Sequence, residues 1–216
     1  MGGKCLIIYS SYTGNTEKVA QRFKSTFERE GWKCDICKID QKPEYVLDPP
    51  FDVKDYDFIC AGSGIRVHLP YNEVLNLLRR FRTGVDPRTT LKNRGETISY
   101  ITAPMPPPPP PGSMAAHHRK IVLGADSKKC VVFATYAGYE FGPKEAVPAM
   151  MILELELEHL GFKCIGHFSC PGRFINDPMP RTFHGDIRDR PNEKDLMKAE
   201  MFIEERLEEI AERPAS

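Results

Sequence analysis

The sequence predicts an α/β fold in which helices cover both faces of a parallel sheet. Strand-like and helix-like segments alternate along nearly the whole chain of 216 residues, as they do when crossover helices connect parallel strands. Segments 6–9 and 131–134 are apolar without alternation, which is typical of strands buried on both faces. Gly31 and Gly161 each follow a helical segment and precede a strand, at positions where a helix end needs a positive φ.

Five strands and four helices follow from this pattern. The predicted strands are 4–10, 33–39, 57–62, 129–136 and 163–170, and the predicted helices are 16–30, 71–82, 144–160 and 193–212. Asn192 is the expected cap of the last helix, which carries apolar residues at helical spacing. Pro148 inside the third helical segment predicts either a kink or a late helix start.

Two long segments interrupt the alternation. Residues 84–128 form a proline-rich insertion before the fourth strand, and residues 171–191 form a long loop before the last helix. Loops of this length are usually functional or disordered. We expect one domain over residues 1–216, in which the insertion serves as a homo-oligomer or partner surface rather than a lid. In the other loop, Arg173, Phe174 or His184 would reach the pole where the fourth strand ends.

Composition excludes several classes of function. Thirty basic and thirty acidic side chains give a formal net charge of zero, and no nucleic-acid-binding module is recognisable. The sequence has no apolar run of about 18 residues, so no membrane span is expected. Seven cysteines, an odd number, suit reduced thiols in a reducing compartment. We therefore expect a cytoplasmic protein without a nucleic-acid partner.

Cys34 and Cys37 have the spacing of a redox or zinc motif. They lie within a predicted strand, where residues three apart are roughly 10 Å apart and face opposite sides of the sheet. A disulfide needs Cα atoms within about 7 Å, and no second pair of this kind completes a zinc site. Apart from His117 and His118 in the insertion, the histidines are isolated. We therefore predict structural thiols and no metal site.

Hydroxyl and amide side chains crowd the turn between the first strand and the first helix. The turn carries Ser11, Tyr12, Thr13, Gly14, Asn15 and Thr16. Such a turn exposes backbone amides at the positive end of the helix dipole, where anions bind. Helix capping explains a single Ser or Thr, but this density indicates a phosphate site. The turn lacks the lysine of a P-loop and the glycines of a dinucleotide fingerprint, which favours a phosphate monoester.

The motif SYTGNTE at residues 11–17 resembles the phosphate-binding loop of flavodoxins. The resemblance covers the five strands and their helices and leaves out the two long segments. It implies a flavodoxin-like doubly wound five-stranded parallel sheet of order 2-1-3-4-5, in three α/β/α layers. It also implies bound FMN at the carboxyl ends of the first, third and fourth strands.

By the same resemblance, three loops would hold FMN. The phosphate would be bound by Ser11, Thr13, Asn15 and Thr16, with Tyr12 at the variable position and Gly14 allowing close approach of the backbone. One side of the isoalloxazine would lie along Ser63, Gly64, Ile65 and Arg66. Tyr139, or else Tyr136, would stack on the other side, next to Ala137 and Gly138. Gly62 and Gly64 would let the third-strand loop turn.

The function expected first is an FMN-binding electron carrier that works with redox partner proteins and needs no catalytic acid or base. The alternative is an FMN-dependent NAD(P)H oxidoreductase acting on quinones or similar acceptors, although the chain carries no nicotinamide fingerprint. A second alternative is a flavin-free interaction module, which the intact phosphate loop disfavours. Typical flavodoxins are acidic, whereas this chain is neutral, so docking through net charge is not expected.

Overall fold

Five parallel strands form a sheet in the computed structural model, which describes residues 2–39, 49–83, 128–173 and 181–212. The strands are β1 Lys4–Ser10, β2 Lys33–Lys38, β3 Phe58–Arg66, β5 Lys128–Tyr136 and β6 Phe162–Pro171. Their order is β2-β1-β3-β5-β6, and a two-residue strand, β4 Leu69–Pro70, pairs antiparallel with the end of β3. With β4 set aside, the predicted order 2-1-3-4-5 is confirmed.

Four helices cover the two faces of the sheet. They are α1 Asn15–Arg29, α2 Asn72–Thr83, α3 Val147–His159 and α4 Glu193–Ala211. Helix α1 packs beside α4, and α2 packs beside α3. These pairs form the outer layers of the predicted three-layer arrangement. None of the described helices is long and apolar enough to cross a bilayer.

The sheet divides the core into two clusters, because successive side chains of β1 point to opposite faces. Leu6 packs in the cluster that includes Leu153 of α3, and Ile7 packs in the cluster that includes Phe23 of α1. All four side chains are almost completely buried. The absence of alternation in the sequence of β1 therefore reflects two apolar faces.

Helix boundaries follow local signals. Residues Gly142–Ala146 form a short 3-10 helix, and α3 begins only at Val147. Pro148 lies in the first turn of α3, where a missing backbone donor costs nothing, so it marks a late helix start rather than a kink. At the other end of the chain, Asn192 and Asp195 form a capping box for α4.

The two long segments are described only in part. Residues 84–127 lie outside the described ranges, so the predicted oligomeric role of the insertion stays a prediction, as does the extent of a single domain over 1–216. Phe174 also lies outside them. Within the second segment, a short hairpin joins β7 Arg181–Thr182 to β8 Gly185–Asp186. The sequence predicted only a loop there.

Cys34 and Cys37 point to opposite faces of the sheet, as expected for residues three apart in a regular strand. Cys34 packs in the same cluster as Phe23, and Cys37 packs in the opposite cluster with Leu153. All seven cysteines of the chain are free thiols. The two side chains therefore cannot act as a pair.

Candidate functional site

The carboxyl ends of β1, β3 and β5 surround a cavity of about 550 Å³ at one pole of the sheet. Predicted residues from all three loops line it: Tyr12, Thr13, Asn15, Gly64, Ile65, Arg66, Tyr136, Ala137 and Tyr139. The remaining predicted residues do not: Ser11, Gly14, Thr16, Ser63 and Gly138. A cavity of this size is typical of small-molecule and cofactor sites.

The turn after β1 is held in the shape of an anion site. Gly14 adopts a left-handed conformation with φ 78° immediately before α1. Any other residue would be strained there, since left-handed backbone favours glycine. The Ser11 hydroxyl accepts a hydrogen bond of 3.2 Å from the Glu17 amide. The first amides of α1 have no intrahelical partner, so they remain suited to an anion.

Two of the predicted phosphate ligands also tie the turn to neighbouring strands. Asn15 Nδ2 donates to the Arg173 carbonyl oxygen at 2.6 Å, just past the end of β6. The hydroxyls of Thr16 and Thr135 lie 2.8 Å apart in a buried contact between α1 and β5. Within the described ranges, no hydrogen bond engages the half-buried Thr13 hydroxyl at the cavity. Thr13 is therefore the side chain best able to meet a ligand.

A buried hydroxyl lies directly before this turn. Ser10, the last residue of β1, is fully buried, and its Oγ has no hydrogen-bond partner among the described residues. An unsatisfied buried hydroxyl costs about 1–3 kcal/mol, and Ser10 does not line the cavity, so this cost is part of the structure of the strand end. Neutral hydroxyls and backbone amides suit a phosphate monoester bound without cationic side chains, so the residues present fit the phosphate of FMN.

The third-strand segment differs from the prediction. Residues 63–66 belong to β3, because residues 63 and 64 pair with the neighbouring parallel strands and residues 65 and 66 pair with β4; the chain then reverses through Val67 and His68. Both turn residues have positive φ, 50° and 64°. A two-residue hairpin prefers such angles, but it usually places Asn or Gly there. A β-branched valine in this conformation is strained, and the strain is located at the rim of the cavity.

Gly62 and Gly64, predicted to let the third-strand loop turn, lie within β3 beside aromatic rings. A Cβ atom on Gly62 would overlap the ring of Phe133, and one on Gly64 would lie 2.6 Å from the ring of Tyr71. Neither glycine has a positive φ. These glycines therefore allow aromatic rings to pack against β3.

Ser63 fastens the hairpin rather than lining the cavity. Its hydroxyl accepts from the Tyr71 amide at 2.8 Å and donates to the Gly64 carbonyl oxygen at 2.7 Å. The Tyr71 ring in turn lies 4.4 Å from the ring of Tyr12, whose hydroxyl donates to Glu73. Tyr12 is exposed, yet its ring packs against Tyr71 and its hydroxyl is bound to Glu73.

Two tyrosines, one at the end of β5 and one in the loop that follows, have different environments. Tyr136 is buried and its hydroxyl lies 3.1 Å from Nε2 of His184, whereas Tyr139 is 37% exposed. Burial raises the pKa of Tyr136 to about 12, so its hydroxyl keeps its proton. Burial and the charge of Arg190 lower the pKa of His184, so a neutral imidazole can accept that hydrogen bond. Tyr136 is thus fixed, whereas the partly exposed Tyr139 lines the cavity.

Glu145 organises the same loop. Its carboxylate accepts hydrogen bonds from the amides of Glu140 at 3.0 Å and Phe141 at 3.1 Å. Partial burial opposes ionisation, but bonds from these amides and from that of Tyr139 outweigh it and lower the pKa of Glu145 below its ordinary value. The charged carboxylate therefore holds the backbone beside Tyr139.

Several lining residues were missed by sequence reasoning. They are Val67, His68, Tyr71, Thr135, Glu145 and Gly172. Thr135 could have been predicted from the sequence, because a polar residue near the carboxyl end of an apolar strand indicates a position at the site. Gly172 carried none, because its role depends on a distant contact: a Cβ atom there would lie 2.8 Å from Asn15 Nδ2. Arg173, expected from the long loop, does line the cavity.

Solved structures of other proteins share this architecture. No protein-family model matches the chain, and no curated protein sequence matches it. Among solved structures, oxidised flavodoxin 1 from Bacillus cereus matches with a TM-score of 0.55 and 14% identity, over 95% of this chain and 97% of that one. The fold is flavodoxin-like.

Larger proteins contain the same flavodoxin-like fold. A flavone reductase matches with a TM-score of 0.57 and 12% identity, over 99% of this chain and 66% of that chain. Rubredoxin oxygen:oxidoreductase from Desulfovibrio gigas matches with a TM-score of 0.52 and 14% identity, over 93% of this chain. The present chain covers 34% of that oxidoreductase. At these low sequence identities the similarity shows a shared fold. It does not show a shared activity, which has to be argued from the residues of the cavity.

Proposed function

We propose that the protein binds FMN in the cavity at the pole of its sheet and carries electrons between redox partner proteins. The observation that supports this most directly is that the hydroxyl-rich turn before α1 opens into the same cavity as the ends of β3 and β5. FMN supplies the redox chemistry when bound, and the protein supplies binding and orientation.

The phosphate would bind at the start of α1. The backbone amides of the turn and the Thr13 hydroxyl are the donors, with Gly14 providing the left-handed backbone. Ser11, Asn15 and Thr16 would keep the turn in place through their contacts with Glu17, β6 and β5. In this proposal the phosphate site needs no lysine or arginine.

The ring would lie between the β3–β4 hairpin and the loop after β5. Ile65 and Arg66 line the cavity from the hairpin, and Tyr139 lines it from the loop. Tyr139 would stack on the ring because its side chain is partly exposed at the cavity. Tyr136, whose hydroxyl is bound to His184, would instead hold the adjacent backbone of Ala137 in place.

Exposed apolar side chains near the cavity favour a carrier that docks on other proteins. Val67 at the rim is 80% exposed. Phe141 and Phe183, which belong to the loops around Glu145 and Gly138, are also exposed. Exposed apolar groups clustered around a polar site often mark an interaction surface. For a chain with zero net charge, such contacts replace the charge-based docking of acidic carriers.

One feature supports the alternative, an FMN-dependent NAD(P)H oxidoreductase. Arg66 and Arg173 both line the cavity, while the proposed phosphate site uses neither of them. Arginine binds phosphates well, so the pair could hold an anionic nicotinamide substrate beside the flavin. The two functions differ in whether NADH or NADPH reduces the bound flavin.

FMN binding is tested by titrating the purified protein with FMN and with riboflavin and following flavin fluorescence. We expect Thr13→Ala to weaken FMN binding about tenfold, the value of one hydrogen bond to a charged group, and to leave riboflavin binding unchanged. Ser25→Ala, on the exposed side of α1, is the matched control. A protein that takes up neither flavin, or a variant that loses both equally, would contradict the proposal.

Carrier and reductase are separated by anaerobic mixing of the FMN-loaded protein with NADH or NADPH. The carrier predicts no rapid bleaching of the flavin, together with electron transfer to a cytochrome after chemical reduction. Rapid bleaching followed by turnover on a quinone would establish the reductase. In that case, replacing Arg66 or Arg173 with alanine should raise KM for the nicotinamide substrate.

A further inference from the structure

We propose that Glu154, Cys164 and His167 form a binding site for Zn²⁺ between α3 and β6, separate from the flavin cavity. The ligand atoms offered by the three side chains all lie within 4.8 Å of one another. His167 Nε2 lies 2.8 Å from Glu154 Oε2. None of the three residues lines the cavity at the pole. The proposal departs from the sequence-based prediction of no metal site.

An irregularity in β6 brings the thiol and the imidazole to one face. Cys130 of β5 pairs with Cys164, but Val132 pairs with His167, so Ile165 and Gly166 together oppose a single residue. In a regular strand, residues three apart face opposite sides. The extra residue of a β-bulge reverses this parity, so Cys164 and His167 share a face.

The packing of the neighbouring residues confirms these directions. Cys164 packs against the core cluster on the α3 side, and Ile165 packs against the cluster on the α4 side. A Cβ atom on Gly166 would lie 2.9 Å from the ring of Phe202 in α4. His167 returns to the α3 side, where it meets Glu154. The bulge therefore directs both ligands of β6 towards the helix that supplies the third.

The site is anchored in the core and open to solvent. Helix α3 packs on the sheet through buried Leu153 and Leu157, which fixes the position of Glu154 between them in sequence. Cys164 is half-buried, while the side chains of His167 and Glu154 are 34% and 30% exposed. An ion could therefore enter from the sheet edge without opening the core.

The donor set selects the metal. One thiolate, one imidazole and one carboxylate together suit Zn²⁺, whereas Mg²⁺ and Ca²⁺ prefer oxygen donors alone. Three protein ligands leave a fourth position for water in a tetrahedral site. The neighbouring Cys130 thiol is fully buried and donates to the Phe162 carbonyl oxygen at 3.7 Å, and it lies outside the three-residue cluster.

The site is tested on the full-length protein, stripped of metal with a chelator and then titrated with Co²⁺ as a spectroscopic substitute for Zn²⁺. We expect one Co²⁺ per chain, with a thiolate-to-cobalt absorption band that Zn²⁺ displaces. Cys164→Ser should abolish the band. Since loss of an outer-shell partner already costs 10–100-fold, loss of the thiolate should weaken Zn²⁺ binding at least about 100-fold in competition with a chromophoric chelator.

Matched controls separate the proposed ligands from other thiols and histidines. Cys37→Ser and His159→Gln should leave the Co²⁺ spectrum and Zn²⁺ affinity unchanged, because neither residue belongs to the cluster. If Cys164→Ser fails to fold by circular dichroism, the more exposed His167→Gln decides the question, with an expected loss of at least about tenfold. No cobalt band in the unmodified protein, or a band unaffected by both substitutions, would contradict the proposal. The three side chains would then form only a hydrogen-bonded contact without a metal.

Discussion

The turn after β1 and the bulge in β6 both gather chemically useful side chains, but they do so by different means. In the turn, Ser11, Thr13 and Asn15 are almost contiguous in sequence, and the start of α1 places them together. At the bulge, Cys164 and His167 meet Glu154 only because β6 gains one residue against β5. The first arrangement is local, and the second depends on strand register and helix packing.

The same lesson appears when β6 is compared with β2. Cys34 and Cys37 have the spacing of Cys164 and His167, yet they pack in opposite core clusters because the register between β1 and β2 is regular. Spacing within a strand therefore predicts a shared face only where the register is known.

The largest effect is expected in the turn. Thr13→Ala combined with Asn15→Ala should weaken FMN binding about 100-fold, because the phosphate would lose the Thr13 hydrogen bond, worth about 1.5–3 kcal/mol, and the turn would lose the Asn15 contact that ties it to the Arg173 segment. Equilibrium titration with FMN measures it. His167→Gln, at the bulge, should leave FMN affinity unchanged, and a parallel loss there would show that the two regions are not independent.

A clear loss of stability is expected when the bulge is crowded. Gly166→Ala places a methyl group against the Phe202 ring and should lower the free energy of unfolding by about 1–3 kcal/mol. Urea denaturation followed by circular dichroism measures it. Adding Phe202→Leu should recover part of the loss, as expected for residues in contact. Equal losses with and without Phe202 would mean that residue 166 does not face α4.

The face of the sheet to which residue 166 points also tests whether β6 contains the bulge. In a regular strand it would share the face of Cys164, so Gly166→His in a His167→Ala background would restore the proposed metal site. With the bulge, that histidine faces α4, and we expect no recovery of the cobalt band. Recovery would show that the strand is regular. Circular dichroism of the double variant establishes that it has folded.

A modest gain in stability is expected at the pole, where the hairpin stores strain. Replacing Val67 with Asn and His68 with Gly supplies the residues that a turn with two positive φ angles prefers. We expect the free energy of unfolding to rise by about 1 kcal/mol. Val67→Ile is the matched control, since it keeps the branched side chain. An unchanged or lower stability would argue against strain in this turn.

The smallest effect is expected from His184, whose neutral form the pole favours. Its pKa is lowered by burial and by Arg190, so the folded state binds fewer protons than the unfolded state below about pH 6.5. Stability should therefore fall as pH decreases from that value towards the lower folded pKa. Thermal unfolding of wild type and His184→Gln at several pH values measures this. The variant should lose part of the decline, whereas His159→Gln should not.

The sequence by itself determined the layered α/β fold and the position of the hydroxyl-rich turn before α1. Alternating segments reveal parallel strands because their hydrophobic patterns are local, and Gly14 marks a left-handed helix start in the same way. Tyr12, Thr13 and Asn15, which the motif predicts to lie at the phosphate, line the cavity. Such features depend on contacts between residues close in sequence.

Only the tertiary structure decided the rest of the site. Ser63 became part of a strand because it pairs with Ser10 of β1 and Ala134 of β5, which lie far from it in the sequence. Tyr71 and Gly172 reached the cavity through contacts with distant residues. The bulge that unites Cys164 with His167 depends on the register between β5 and β6. Register and packing arise from contacts between segments far apart in the chain, so no local pattern encodes them.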